Sequence, residues 1–366
     1  MLLPPELKLS IVDHLDPFST FNFGLTSQYH LELCRPVLGR HAHSFAEAPV
    51  VDAFDVWRVL RDVLQDDSKA QYVTELSLPA NWEMQPPTTP VEDADLLREA
   101  AISLLDIYPQ LGDLDDLDEG GSQILGLRHH DEPTLMERIV EGVATGSPPS
   151  IIVVLIHHLP NLKTLRMSGS TDRDDIEHGI LDEFLLKVSP DLGNAEKASY
   201  LPFRRLRTVA LSYWNFESYM TVNYVFPFLH IPSLRTLAGH ALSGWFWASN
   251  QTDNTVHLRP RSNIEEFFFV DCQFNASAVE YMLSCTQALK RFTYSAGGYN
   301  VSPSHYNVDK VVKSLSEHTW HSLEQLLLIH PYYREEEVRT PSRSSFHIRL
   351  TSTSSWTTTT SLPRLI

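Results

Sequence analysis

A short pattern, apolar-x-x-apolar-x-apolar, returns along most of this chain and constrains its fold more than any other feature. It stands at Val73-x-x-Leu76-x-Leu78, Leu162-x-x-Leu165-x-Met167 and Leu206-x-x-Val209-x-Leu211. It recurs at Ile264-x-x-Phe267-x-Phe269, Leu289-x-x-Phe292-x-Tyr294 and Leu323-x-x-Leu326-x-Leu328, with Leu234-x-x-Leu237 as a partial copy. The last two apolar positions alternate as in a strand that buries one face. Copies starting at 206, 234, 264, 289 and 323 lie 25 to 34 residues apart, a spacing that points to internal repetition. Helical periodicity fills the gaps. Residues 176–188 place Ile176, Ile180, Phe184, Leu185 and Val188 on one face, residues 278–283 behave alike, and 308–315 align Val308, Val311, Val312 and Leu315. The expectation is an α/β fold, an irregular solenoid of parallel strands backed by helices. A non-repetitive α/β domain with buried strands fits the same pattern.

The first 38 residues read differently. Pro4 and Pro5 suit a helix start, Glu6 suits its positive end, and Leu7, Ile11 and Leu15 recur on one face beside Val12. Asp16-Pro17 breaks that helix, and Ser19 or Thr20 can start a second stretch carrying Phe21 and Leu25. Tyr29, Leu31 and Leu33 follow before Pro36. A unit below about 40 residues seldom buries enough surface to fold unsupported. Its apolar excess is therefore covered by the rest of the chain, as a cap, or by a partner.

The order Leu3-Pro4-x-Glu6-Leu7, Ile11, Leu15-Asp16-Pro17, Leu25-Thr26-Ser27 resembles the F-box, with Gln28-Tyr29-His30 where that family often has Lys-Arg and an aromatic. The resemblance covers about a tenth of the chain. It implies docking on a Skp-family adaptor through Leu3, Pro4, Leu7, Ile11, Leu15 and Leu25. The downstream pattern resembles degenerate leucine-rich repeats of the kind often attached to F-boxes in fungal proteins. The Asn or Cys such repeats carry after each strand is mostly missing, Cys272 being the best candidate. The expected layout is an F-box over 1–40, a helical and loop connecting region over 41–150, a leucine-rich-repeat-like domain over 151–333 and a disordered tail over 334–366.

Within the connecting region, residues 41–70 look helical, with Val56, Val59, Leu60, Val63 and Leu64 inward. Residues 84–90 and the acidic run 113–119 read as loops, and 146–150 as a turn. The tail is charged, then rich in Ser and Thr, with too few apolar residues to pack.

Net charge is −17, from 29 Lys and Arg against 46 Asp and Glu, which argues against nucleic acid or an anionic membrane as main partner. Three irregularly spaced cysteines, no hydrophobic signal core and no apolar run of membrane-spanning length give the expectation of a soluble intracellular protein, cytoplasmic and/or nuclear.

Catalytic patterns are missing. There is no G-x-S-x-G, no P-loop, no HExxH and no Cys-x-x-Cys. The pairs His129-His130 and His157-His158 point apart and suit surface or structural roles, the second at a helix end. Cys272 after a Phe-rich strand reads as an inert buried thiol. Most of the aromatic cluster between Trp214 and Trp247 is expected in the core, with Trp245 and Trp247 on a loop as candidates for target binding. By the F-box resemblance, the expected function is substrate recognition in a cullin–RING ubiquitin ligase of SCF type, without catalytic residue, metal or cofactor. The target protein is unidentified. A ubiquitin-independent interaction scaffold is the alternative, and an enzyme with an unrecognised site a weaker third.

Overall fold

The computed structural model describes residues 3–47, 51–52, 56–78, 91–112, 133–169, 179–192, 202–213, 220–244, 262–297, 307–332 and 342–349. Three helices come first: α1 (Pro5–Asp13), α2 (Pro17–Leu25) and α3 (Gln28–Glu47). A short β1 (Val51–Asp52) leads through α4 (Val56–Gln65) and α5 (Asp67–Ala70) to β2 (Glu75–Leu78). Helices α6 (Val91–Ile107), α7 (Leu135–Thr145) and α8 (Pro148–His157) precede β3 (Thr164–Gly169), and α9 (Gly179–Leu192) precedes β4 (Thr208–Tyr213). Then come β5 (Met220–Thr221), β6 (Thr236–His240), β7 (Leu242–Gly244) and β8 (Glu266–Phe274). The described chain ends with α10 (Ala276–Cys285), β9 (Arg291–Ala296), α11 (Val308–His318), β10 (Gln325–Tyr332) and β11 (Ser342–Arg349).

Every copy of the apolar pattern falls on a strand, which begins two residues after the copy's first apolar residue. The strands lie in the order β1-β2-β3-β4-β6-β8-β9-β10-β11, and all neighbours up to β10 are parallel. Parallel neighbours need a crossover, right-handed by chirality, so a sheet that grows in one direction carries its crossovers on one face. Burial agrees. The registered row Leu76, Leu165, Val209, Leu237, Phe267, Phe292 and Leu326 is buried, whereas Thr208, Ala210, Ser212 and Phe268 on the other face reach solvent. The result is an α/β fold with, among the described residues, one covered and one open sheet face.

One hydrophobic core runs from Val56 to Leu328, and the expected boundary at 150/151 falls inside it. Pro149 to Ile156 of α8 are all buried. Helix α7 opens with a Thr134–Glu137 capping box and closes at Gly146, whose φ of 85° needs glycine. At Gly142 the two helices meet closely: a Cβ there would stand 2.0 Å from Ser150 Oγ. Arg138 of α7 pairs with Glu183 of α9. Among the described residues no single helix is long and apolar enough to cross a membrane.

The structure departs from expectation in several places. Helix α2 starts at Pro17 because Asp16 caps it, accepting from the N–H groups of Phe18 and Ser19 at 3.0 and 3.2 Å. Helix α3 passes through Pro36 and past residue 40, held by burial of Cys34 and Val37 against Val12. Pro148 and Ser150 belong to α8 rather than to a turn, and Val312 faces outward. Residues 342–349 of the tail form β11, antiparallel to β10, because the open edge of a sheet offers unpaired backbone groups to any extended segment. The segments 84–90 and 113–119, along with Ile176, lie outside the described residues.

Candidate docking surfaces

Two surfaces stand out, one on the first three helices and one on the open sheet face. The helices bury little among themselves: their own core is Val12, Cys34 and Val37, with Phe23, Leu33 and Leu38 packed beside it. Among the described residues, ten of the fourteen exposed large hydrophobics lie between Leu3 and Phe45. Leu3, Leu7, Ile11 and Leu25 are 51, 53, 47 and 65 % exposed, and Pro4 is exposed as well. Leu15 is half-buried. Within Gln28-Tyr29-His30 the rings split: His30 stacks on Phe23 at 4.3 Å, while Tyr29 faces out beneath Lys8.

This helical unit is fastened to the turns that precede β2 and β4. His41 Nδ1 lies 2.9 Å from the Tyr72 hydroxyl, and Phe45 meets the Tyr72 ring edge-on at 5.1 Å. Arg205 lies over the Phe18 ring at 4.6 Å. Asp16 feels the same guanidinium. Burial alone would raise its carboxyl, but hydrogen bonds from Ser19 and Phe18 and the charge of Arg205 hold it below the ordinary range.

Across the open face the register aligns Ser77, Arg166, Ala210, Ala238, Phe268 and Thr293 in one row. A second row aligns Ser168, Ser212, His240 and Val270. Small side chains in the middle leave a trough of 540 Å³ between Arg166, hydrogen-bonded to Glu75 at 2.6 Å, and Phe268, which is 45 % exposed. Beyond His240 and Val270, Ala241 and Asp271 both take φ of 52°, so neighbouring strands turn at one level and continue into the small β5-β7-β8 sheet.

No family model, curated protein or solved structure matches this chain.

The stacked turns are stitched by the residue just before five of the seven pattern copies. Asn161 Nδ2 donates to the Gln71 carbonyl at 2.6 Å, and Arg205 donates to Asn161 Oδ1. Ser233 donates to the Phe203 and Leu206 carbonyls, Asn263 to that of Pro232, and Ser322 to that of Leu289. The polar ladder absent after the strands thus stands before them. Its signal in the sequence is a polar residue ahead of most copies, which the apolar pattern passes over.

Two of the candidate groups are described by the structure, His157 and Cys272. His157 is half-buried beside the Tyr108 hydroxyl at 3.1 Å, and desolvation and then neighbouring His158 push it down to about 4. That shift favours the neutral imidazole over a cation on the helix end. Cys272 is fully buried and its thiol is pushed up to about 12 by burial. Among the described residues no group of His, Cys, Asp and Glu is arranged to hold a metal ion. Trp245 and Trp247, along with His129, His130 and Trp214, lie outside the described residues. Phe228 is buried, and Tyr224 and Phe226 are half-buried. Phe268, an exposed aromatic that sequence periodicity had not marked, occupies the open face. Its only signal is its place between Phe267 and Phe269, on the opposite side of the strand.

Proposed function

We propose that this chain is the substrate-recognition subunit of an SCF-type cullin–RING ubiquitin ligase, an F-box followed by an irregular leucine-rich-repeat-like solenoid. The first three helices dock a Skp-family adaptor, and the open sheet face holds a target protein. The observation that carries this is the gathering of exposed apolar side chains on a helical unit with a core of its own too small to justify them. The unidirectional parallel sheet supports the second half, because it offers a broad face that no helix covers among the described residues. The mechanism is proximity: the chain raises the local concentration of a target lysine near a charged conjugating enzyme, and the bond is made by other subunits.

The test is co-purification of the full chain with a Skp-family adaptor. Capture by the wild type and its loss in Leu7→Asp and Leu25→Asp variants that melt like the wild type is the expected result. These exposed positions suit the test better than half-buried Leu15, where a charge would also disturb packing. A wild-type chain that never retains the adaptor would falsify the ligase role and leave a ubiquitin-independent scaffold.

A further inference from the structure

Helix α6 buries Leu97, Ala101 and Leu104, and α7 buries Leu135, Ile139 and Val143. Their other flanks leave between them a groove of 520 Å³, floored by Leu105, Met136, Val140 and Ala144. Ile102, one turn before Leu105 on α6, is 48 % exposed beside it. The floor runs for about two helical turns, about 11 Å.

The rims of this groove carry one sign of charge. Helices α6 and α7 hold seven Asp and Glu against two Arg. Both guanidiniums are taken, Arg98 of the lining by Asp95 at 3.1 Å and Arg138 by Glu183. Asp93 is matched by Arg61 at 3.5 Å. Glu137 and Glu141 line the α7 side, while Asp95, Glu99, Ile102 and Asp106 recur at i, i+4, i+7 and i+11 along the α6 side. Glu99, Asp106, Glu137 and Glu141 are exposed and make no ion pair among the described residues. The Glu137 carboxylate accepts from the Thr134 N–H, which uses a lone pair without cancelling the charge.

A helix lying in the groove would pack as a third member of this layer, its apolar stripe on Leu105, Met136 and Val140. The rims select its flanks: Asp or Glu there would meet like charge, whereas Lys or Arg would meet the four carboxylates that lack a cation. The same charge disfavours an anionic membrane surface. It also disfavours residues 113–132 of this chain, which hold seven Asp and Glu against one Arg. We propose that this groove binds an amphipathic helix of a partner protein, with apolar residues at i, i+4 and i+7 on the floor and lysines or arginines facing the carboxylates of both rims. The site uses residues of neither the first three helices nor the open sheet face, so it stands whether or not the chain serves a ligase.

The experiment titrates the full chain into two fluorescein-labelled helical peptides of about 18 residues and reads fluorescence anisotropy. Both peptides have one leucine stripe, and one carries Lys and the other Glu at its remaining positions. The Lys peptide is expected to bind, more weakly as salt is added, and the Glu peptide not to bind. Glu99→Lys with Glu141→Lys, both exposed, should weaken binding more than about tenfold with an unchanged melt. Glu99→Gln with Glu141→Gln should give a smaller loss of the same sign. Glu280→Lys with Glu324→Lys changes net charge equally, away from the groove, and should cost less than about twofold. Bound peptide should slow hydrogen exchange in residues 91–107 and 135–145. No binding of the Lys peptide, equal binding of both peptides, equal loss in the two charge-reversed chains, or slowed exchange only elsewhere overturns the inference. So does light scattering that shows a dimer whose α6 and α7 are protected without peptide, since a second copy would then fill the groove.

Discussion

Replacing Asn161 with alanine tests whether the stitch between turns holds the molecule together. Asn161 is 5 % exposed, donates to the Gln71 carbonyl and accepts from Arg205. Losing a neutral hydrogen bond costs about 1 kcal/mol, and losing one to a charged group about 1.5–3 kcal/mol. The abandoned Gln71 carbonyl adds a desolvation cost of about 1–3 kcal/mol, which water entering the alanine-sized gap relieves in part. The expected loss is about 3 kcal/mol, a fall in melting temperature of about 4 °C for a chain of this size. Ser233→Ala, which removes bonds from a half-buried hydroxyl, should cost about 1 kcal/mol, and Asn263→Ala less. Thermal unfolding followed by circular dichroism reads this ranking. Arg205 also covers Phe18, so Asn161→Ala should make the helical unit more open to limited proteolysis before the sheet is cut. A melting temperature within about 1 °C of the wild type, or Asn263→Ala proving the worse variant, would refute the reasoning.

Other expectations follow from particular side chains. Leu25 is 65 % exposed, so burying the remainder against an adaptor would contribute about 1–2 kcal/mol, and Leu25→Ala should weaken adaptor binding about five- to thirtyfold by calorimetry with an unchanged melt. Val12, fully buried, should show the reverse: Val12→Ala lowers stability of the helical unit. Gly142→Ala should destabilise by about 2 kcal/mol, overpacking against Ser150 outweighing the better helix propensity, and Ser150→Gly in the same chain should restore part of it in urea unfolding. His157 and His230 are both held down to about 4 by burial. The unfolded imidazole takes its proton near pH 6.5, so the stability these groups contribute is complete above that pH. It is lost as pH falls toward about 4, by about 3 kcal/mol each at most. His157→Gln with His230→Gln should flatten the urea midpoint over this window, and an unchanged slope would assign it to other groups.

Much of the sheet was legible because burying one strand face leaves a local mark. Leu206, Val209 and Leu211 are close in sequence and share one environment, so spacing alone located β4. The same held for Ile180, Phe184, Leu185 and Val188 on α9. Strand β11 was not legible, since its pairing partner lies in β10 and its own residues are as polar as a tail. The expected end of the unit at residue 40 was overrun, since burial of Cys34 and Val37 carries α3 through Pro36 to Glu47. On the first helix periodicity put Leu7, Ile11 and Leu15 on one face, but which of them stay exposed was not legible, since Leu15 is half-buried and neighbouring Val12 fully so. The trough was not legible either, because Arg166, Ala210, Ala238 and Phe268 meet only once the register of four strands is set.

The helical unit hangs from the turns before β2 and β4, and the trough begins on β2, so both surfaces share one end of the sheet. Strands added or lost toward β10 would lengthen or shorten the molecule as beads on an abacus rod do, without moving either surface relative to the other. A lineage could therefore vary the number of strands freely while keeping a bound target at a constant distance from whatever the helices grip. Changing that distance requires instead an insertion between Tyr72 and Arg205, where the two surfaces are geared together.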